Sequence, residues 1–152
     1  MMKKMPPAAK AYEAMSAIAD GRVCMHEGYA LVDSSDHSRT YEVQWEGNAY
    51  SSTDSATYWQ GYPGYPVIAV WMLQGILPHE EGAEQLLKGI AWKQLNEAHR
   101  RNYDAAAEDA LTHLQQQGID PAPAVRLAGE INAALGNLDL EVKKGHAKHI
   151  EK

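Results

Sequence analysis

Apolar positions recur at helical spacing, then alternate, then return to helical spacing. Tyr12, Met15, Ile18 and Ala19 lie three, three and one residues apart, so residues 7–20 read as a helix that Gly21 can stop. From residue 22 the period falls to two. "VCMH" and "YALV" read as two short strands around Glu27-Gly28, "SSDHS" as a turn, and "TYEVQWEGNAYSS" as a hairpin. Tyr41, Val43 and Trp45 alternate with Glu42 and Gln44. Tyr50 joins the Val43 and Trp45 face whether the loop is Glu46-Gly47 or Gly47-Asn48. One face of the hairpin is therefore aromatic and the other polar.

Val67 to Leu73 contain no polar residue. Pro66 suits a first helical turn and Gly75 a last one, so residues 66–74 predict a central helix buried on every side. A further helix is predicted over 79–88, with Glu80 and Glu81 in its first turn and Ala83, Leu86 and Leu87 facing inward. Trp92, Leu95, His99, Tyr103, Ala106, Ala110 and Leu114 mark one stripe over 91–117 that admits a break near Asn102. On its outer face Glu97 is spaced to pair with Arg101. A last helix over 121–135 buries Leu127, Ile131 and Leu135, and "LDLEV" alternates as a short strand would. Gln74-Gly75-Ile76, Lys88-Gly89-Ile90 and Gln117-Gly118-Ile119 share one helix stop, a glycine followed by an apolar residue. The expected architecture is one α+β domain over 1–152. A small antiparallel sheet over about 22–52 packs against a mainly helical remainder around the buried helix 66–74. Residues 143–152 read as a basic tail that frays.

Composition supports a folded chain: 152 residues, 45% hydrophobic and 22% charged. Net charge is −6 with no basic block outside "KKGHAKHIEK", which disfavours nucleic acid as a partner. A single cysteine excludes an internal disulfide and any multi-cysteine metal site. The N-terminal lysine pair resembles a signal peptide, but Lys10, Glu13 and Asp20 interrupt the apolar core that one needs. The longest apolar run is too short to span a bilayer. The expectation is a cytoplasmic protein without membrane contact.

Candidate chemistry is sparse. Cys24 and His26 share a strand face, as a nucleophile–base pair or two metal ligands would, and an enzyme with a pocket near them is one alternative. The preferred reading makes them ordinary strand residues, with Cys24 a small hydrophobe. His79, Glu80, Glu81 and Glu84 read as a charged helix start, His99 as a core histidine, and His146 and His149 as a weak metal pair. No phosphate loop and no serine elbow is present. Accordingly, no catalytic residue, metal or cofactor is expected.

The strongest signal is "YWQGYPGYP", residues 58–66. Tyr41 to Trp71 hold eight of twelve aromatics, and none is Phe. Tyr and Trp carry a polar tip and dominate contact hot spots. The turn must join sheet to buried helix, and rings it cannot bury are available to a partner. Trp45, Tyr58, Trp59, Tyr62 and Tyr65 are the candidate partner-binding residues. The reading is a non-enzymatic binding or self-association module, with a protein or a second copy in a homodimer as partner.

From Tyr41 to Leu77, "YEVQWEGNAYSSTDSATYWQGYPGYPVIAVWMLQGIL" runs hairpin, turn, short apolar helix. This order resembles the ββα scaffold of SWIM zinc fingers. That family places Cys-x-Cys after the second strand and Cys-x-His at the helix start. Here those positions hold Ser51 and Thr53, then Gly64 and Pro66, so every metal ligand is absent. The resemblance implies a metal-free relative whose aromatic turn replaces zinc, and it implies DNA or protein binding. Acidic charge weakens the DNA half. Lys143, Lys144, Lys148 and Lys152 would be the phosphate contacts of that alternative.

Overall fold

In the computed structural model, which describes residues 2–150, α1 (Lys10–Ala19) leads into four antiparallel strands. These are β1 (Val23–Met25), β2 (Tyr29–Asp33), β3 (Thr40–Glu46) and β4 (Ala49–Ser52). A π-helical turn (Ala56–Gln60) and a corner over 61–64 deliver the chain to α2 (Tyr65–Leu73). Then come α3 (Glu81–Gln85), α4 (Trp92–Ala98), α5 (Tyr103–Gln116), α6 (Ala122–Gly136) and β5 (Glu141–Lys144). The fold is α+β with an open sheet in the order β1-β2-β3-β4-β5. The meander over 22–52 is antiparallel as its pattern predicts. The "LDLEV" alternation marks β5, which reaches Lys144 and joins β4 in parallel, Val142 opposite Tyr50. Helix α6 serves as part of the long crossover that parallel pairing needs.

Helix α2 has no polar side and is covered all round. Residues Val67 to Met72 are fully buried, packed on α1 and on β1, β3 and β4. Met15 of α1 and Leu127, Ile131 and Leu135 of α6 complete the core. Each such side chain contributes about 1.5–3 kcal/mol by burial. Helices α1, α2 and α5 stop at Gly21, Gly75 and Gly118, all at positive φ. The next N–H donates five residues back, as from Ile76 to the Trp71 carbonyl at 2.9 Å. Gly89 has the same backbone but a different partner: its N–H donates to Asp20 Oδ1 at 2.7 Å, tying this turn to the end of α1.

The predicted stripe over 91–117 breaks at Asn102, whose Oδ1 accepts the Ala105 N–H and starts α5. Arg101 falls beyond the end of α4, so the expected Glu97–Arg101 pair on one helix face is not formed. Helix α3 covers only 81–85 of the predicted 79–88, with the poor helix former Gly82 inside it.

The C-terminal tail has a partner that its composition does not announce. Lys143 and Lys144 pair with Ser51 and Ser52. The chain then crosses the polar sheet face. The Lys148 and His149 N–H groups donate to Glu42 Oε1 at 3.0 and 2.8 Å, and His149 Nδ1 lies 2.8 Å from Oε2. His149 stacks on Tyr29 at 3.6 Å between ring centroids. Glu42 is left 1% exposed. Residues 143–149 therefore make specific contacts along the polar face of the hairpin, although all of them but Gly145 are exposed.

Candidate functional site

Segments from the first two-thirds of the chain enclose a cavity of about 330 Å³, the size of a small-ligand site. Helix α1 supplies Lys10 and Glu13, and the residue before β1 supplies Arg22. The start of β3 supplies Tyr41, the turn after β4 Asp54, the start of α2 Tyr65, and α4 Trp92 and Asn96. Lys10, Glu13, Arg22 and Asp54 are all buried. Burying an ion costs several kcal/mol, so four of them around one void is not how a plain core is built.

Each charge is held by a specific contact. Lys10 Nζ lies 3.2 Å from Glu13 Oε2 and 3.7 Å from the centre of the Tyr103 ring. Asn96 Nδ2 donates to Glu13 Oε1 at 3.2 Å. Glu13 Oε2 is met by Lys10 Nζ, and Asn96 Oδ1 is buried without a partner among the described residues. Burial raises the Glu13 pKa above its ordinary 4.5, against the opposing pull of Lys10 and Asn96. Arg22 Nε sits 3.0 Å from Asp20 Oδ2, and Nη1 donates to the Asp33 carbonyl at 2.7 Å. Its guanidinium lies 5.9 Å from the Tyr65 ring. Burial also pushes the Tyr65 and Tyr41 hydroxyls above 10.0, with Arg22 opposing at Tyr65 and Asp54 adding to the rise at Tyr41. Both stay protonated donors at neutral pH.

Asp54 explains the Gly/Pro corner. Its carboxylate accepts from Ser52 Oγ and from the Thr57 N–H at 3.1 Å, while Thr57 Oγ1 accepts the Gly64 N–H at 3.0 Å. A Cβ on Gly64 would overlap that carboxylate. The corner is fixed by a polar network at the cavity wall, and its rings are shared between core, cavity and solvent.

The structure separates the five aromatic candidates. Tyr62 is buried in the corner with Lys4 Nζ 5.6 Å from its ring centre. Tyr65 walls the cavity edge-on to Tyr41, centroids 6.3 Å apart. Trp45 is half-buried on the core face, paired across the hairpin with Tyr50 at 5.9 Å. Tyr58 is half-buried beside Trp59 and His146. Trp59 alone of the five is presented to solvent, 75% exposed.

Cys24 in edge strand β1 and His26 just past its end do come together, Sγ 3.3 Å from Nε2, but both are exposed and neither lines the cavity. Cys24 is therefore an exposed thiol rather than the buried hydrophobe its type suggests. Among the described residues no group of three or more His, Cys, Asp or Glu is placed to hold a metal ion. His79 Nδ1 instead pairs with buried Glu84 Oε2 at 2.6 Å. His99 is half-exposed rather than a core histidine, 3.0 Å from Asp109 Oδ2 across the α4–α5 break. Among the described residues no helix is long and apolar enough to cross a membrane.

Sequence reasoning missed the cavity set. The one available signal was Lys10 and Glu13, an i,i+3 pair in an otherwise mostly apolar helix. Nothing local shows that α4 and β3 close over them.

Residues 3–141 match the model of the family described as Uncharacterised conserved protein UCP014422, and the chain belongs to that family. No curated protein and no solved structure matches it.

Proposed function

We propose that this family member is a small-molecule-binding module, with the cavity between α1, α4 and the start of β3 as its ligand site. The observation that carries this reading is the ring of buried charges around a void of about 330 Å³. Asn96 Oδ1 is buried there with no hydrogen-bond partner among the described residues, and the one cation at Glu13 Oε2 is Lys10 Nζ at 3.2 Å. Unmet buried polar atoms are rare in folded proteins and concentrate where a site has work to do. The aromatic turn enters this reading through Tyr65 and Asp54, which form part of the wall.

Ser55 lines the cavity, is exposed, and its side chain makes no hydrogen bond among the described residues. Ser55→Trp should block the void without removing a contact. Saturation-transfer NMR against pools of small acids, amines and polyols supplies the test. Fragments should bind the native chain and be lost in S55W at unchanged Tm. No binding fragment, or binding indifferent to S55W, would overturn the reading.

A second reading rests on Trp59, the exposed ring of the turn. A protein or second copy docking there predicts that Trp59→Ala weakens association in sedimentation equilibrium and leaves Tm nearly unchanged. A large loss of stability without any change in association would count against it.

A further inference from the structure

Five Lys and Arg residues and three Asp and Glu residues line the cavity, and Asp20 and Asp36 beside it bring the local balance to neutral, so what matters is which charges are left unpaired. Three of the cations face anions: Lys10 meets Glu13, Arg22 meets Asp20, and Lys93 meets Asp36. Arg39 and Arg101 form no ion pair among the described residues, although both line the cavity. They come from different elements, Arg39 just before β3 and Arg101 in the α4–α5 link.

The backbone at Arg101 is a second observation. Where α1, α2 and α5 stop on glycine, α4 stops on Arg100 and Arg101 at φ of 52° and 66°. Left-handed backbone costs an L-residue about 1–2 kcal/mol. The Arg101 N–H donates to the Asn96 carbonyl at 2.8 Å, so the turn that ends α4 also holds Arg101 at the cavity. Glycine would fit that backbone at less cost but would bring no guanidinium. Strain of this kind gathers at binding sites.

A guanidinium without a partner offers a planar fork that matches the oxygens of a carboxylate or phosphate. We infer that the cavity's ligand is a small anion whose carboxylate or phosphate group is held by Arg39 and Arg101, an assignment that rests on the cavity reading above. Lys10 and Arg22, already paired, hold the site's shape. The hydroxyls of Tyr41 and Tyr65 are available as further donors.

Isothermal titration calorimetry of the full chain at constant ionic strength tests this. Succinate and inorganic phosphate serve as anionic probes, glycerol as the neutral one and ethylenediamine as the cationic one. At least one anion should bind. Arg39→Gln and Arg101→Gln should each weaken it by about tenfold or more, the loss of a charge-assisted hydrogen bond. Lys88→Gln, at an exposed lysine outside this cavity, should not. Anion binding indifferent to R39Q and R101Q, or weakened equally by K88Q, would overturn the assignment. Binding of glycerol or ethylenediamine alone, abolished by S55W, would overturn the anion but keep the cavity reading. Absence of binding by all four probes would overturn the anion, and the fragment screen would then decide the cavity reading by itself.

Discussion

Single residues decide how the cavity is supported. Ser16 is fully buried in α1; its Oγ donates to the Leu87 carbonyl and accepts the Trp92 indole N–H, both at 2.7 Å. One hydroxyl thus joins α1, the turn after α3, and the α4 side chain that walls the cavity. Ser16→Ala leaves the Trp92 N–H without an acceptor and should cost about 1–3 kcal/mol in urea unfolding. Glu13 makes a different prediction. Its folded pKa lies above the ordinary 4.5, so the unfolded chain ionises first as pH rises. Stability therefore falls as pH rises from the ordinary value through the folded one. Relative to Glu13→Gln, the native chain should lose stability over that window in paired unfolding curves. A relative gain with pH would mean that the Lys10 ion pair outweighs burial. Sequence makes Lys10 and Glu13 readable as a pair but not as buried, because the residues that cover them, such as Asn96, lie far along the chain.

At the scale of elements, local pattern translates well wherever neighbours in sequence are neighbours in space. The β3–β4 hairpin, the apolar α2 and the glycine stops needed only periodicity and turn chemistry. The parallel pairing of β5 and the path of the tail did not follow, since both depend on where α6 returns the chain. The tail now reads as a strap. Burial alone would raise the Glu42 pKa, but hydrogen bonds from the His149 side chain, the His149 and Lys148 N–H groups and Gln44 outweigh it and bring the net value below 4.5. The strap's contribution is therefore present above the ordinary carboxylate value and lost as pH falls through the lowered one. Hydrogen exchange should find the Lys148 and His149 amides protected at neutral pH and opening as pH falls through the lowered Glu42 value. Glu42→Gln should open them at neutral pH as well. Protection unchanged in E42Q would show that the strap is held by something else. The Gly145 N–H bond to Ser52, beyond the end of β5, should survive the substitution, because Glu42 takes no part in it.

Across the whole molecule, acidic net charge coexists with a cavity lined by two exposed arginines that form no ion pair among the described residues. Totals of charge argue against a general polyanion partner. They do not report a site assembled from Lys10, Arg39, Lys93 and Arg101, residues that the fold alone brings together. The sequence pointed at the aromatic turn, and the turn does border the site, through Tyr65 and Asp54. The exposed Trp59 and the cavity-wall Trp92 consequently report on two different surfaces. Their indole N–H resonances, followed in ¹H–¹⁵N spectra while the fragment pools are added, test the cavity reading most directly. The account predicts that the Trp92 indole and the Asn96 side-chain amide shift together while Trp59 stays still. Shifts centred on Trp59, or no movement of Trp92 with any pool, would contradict it.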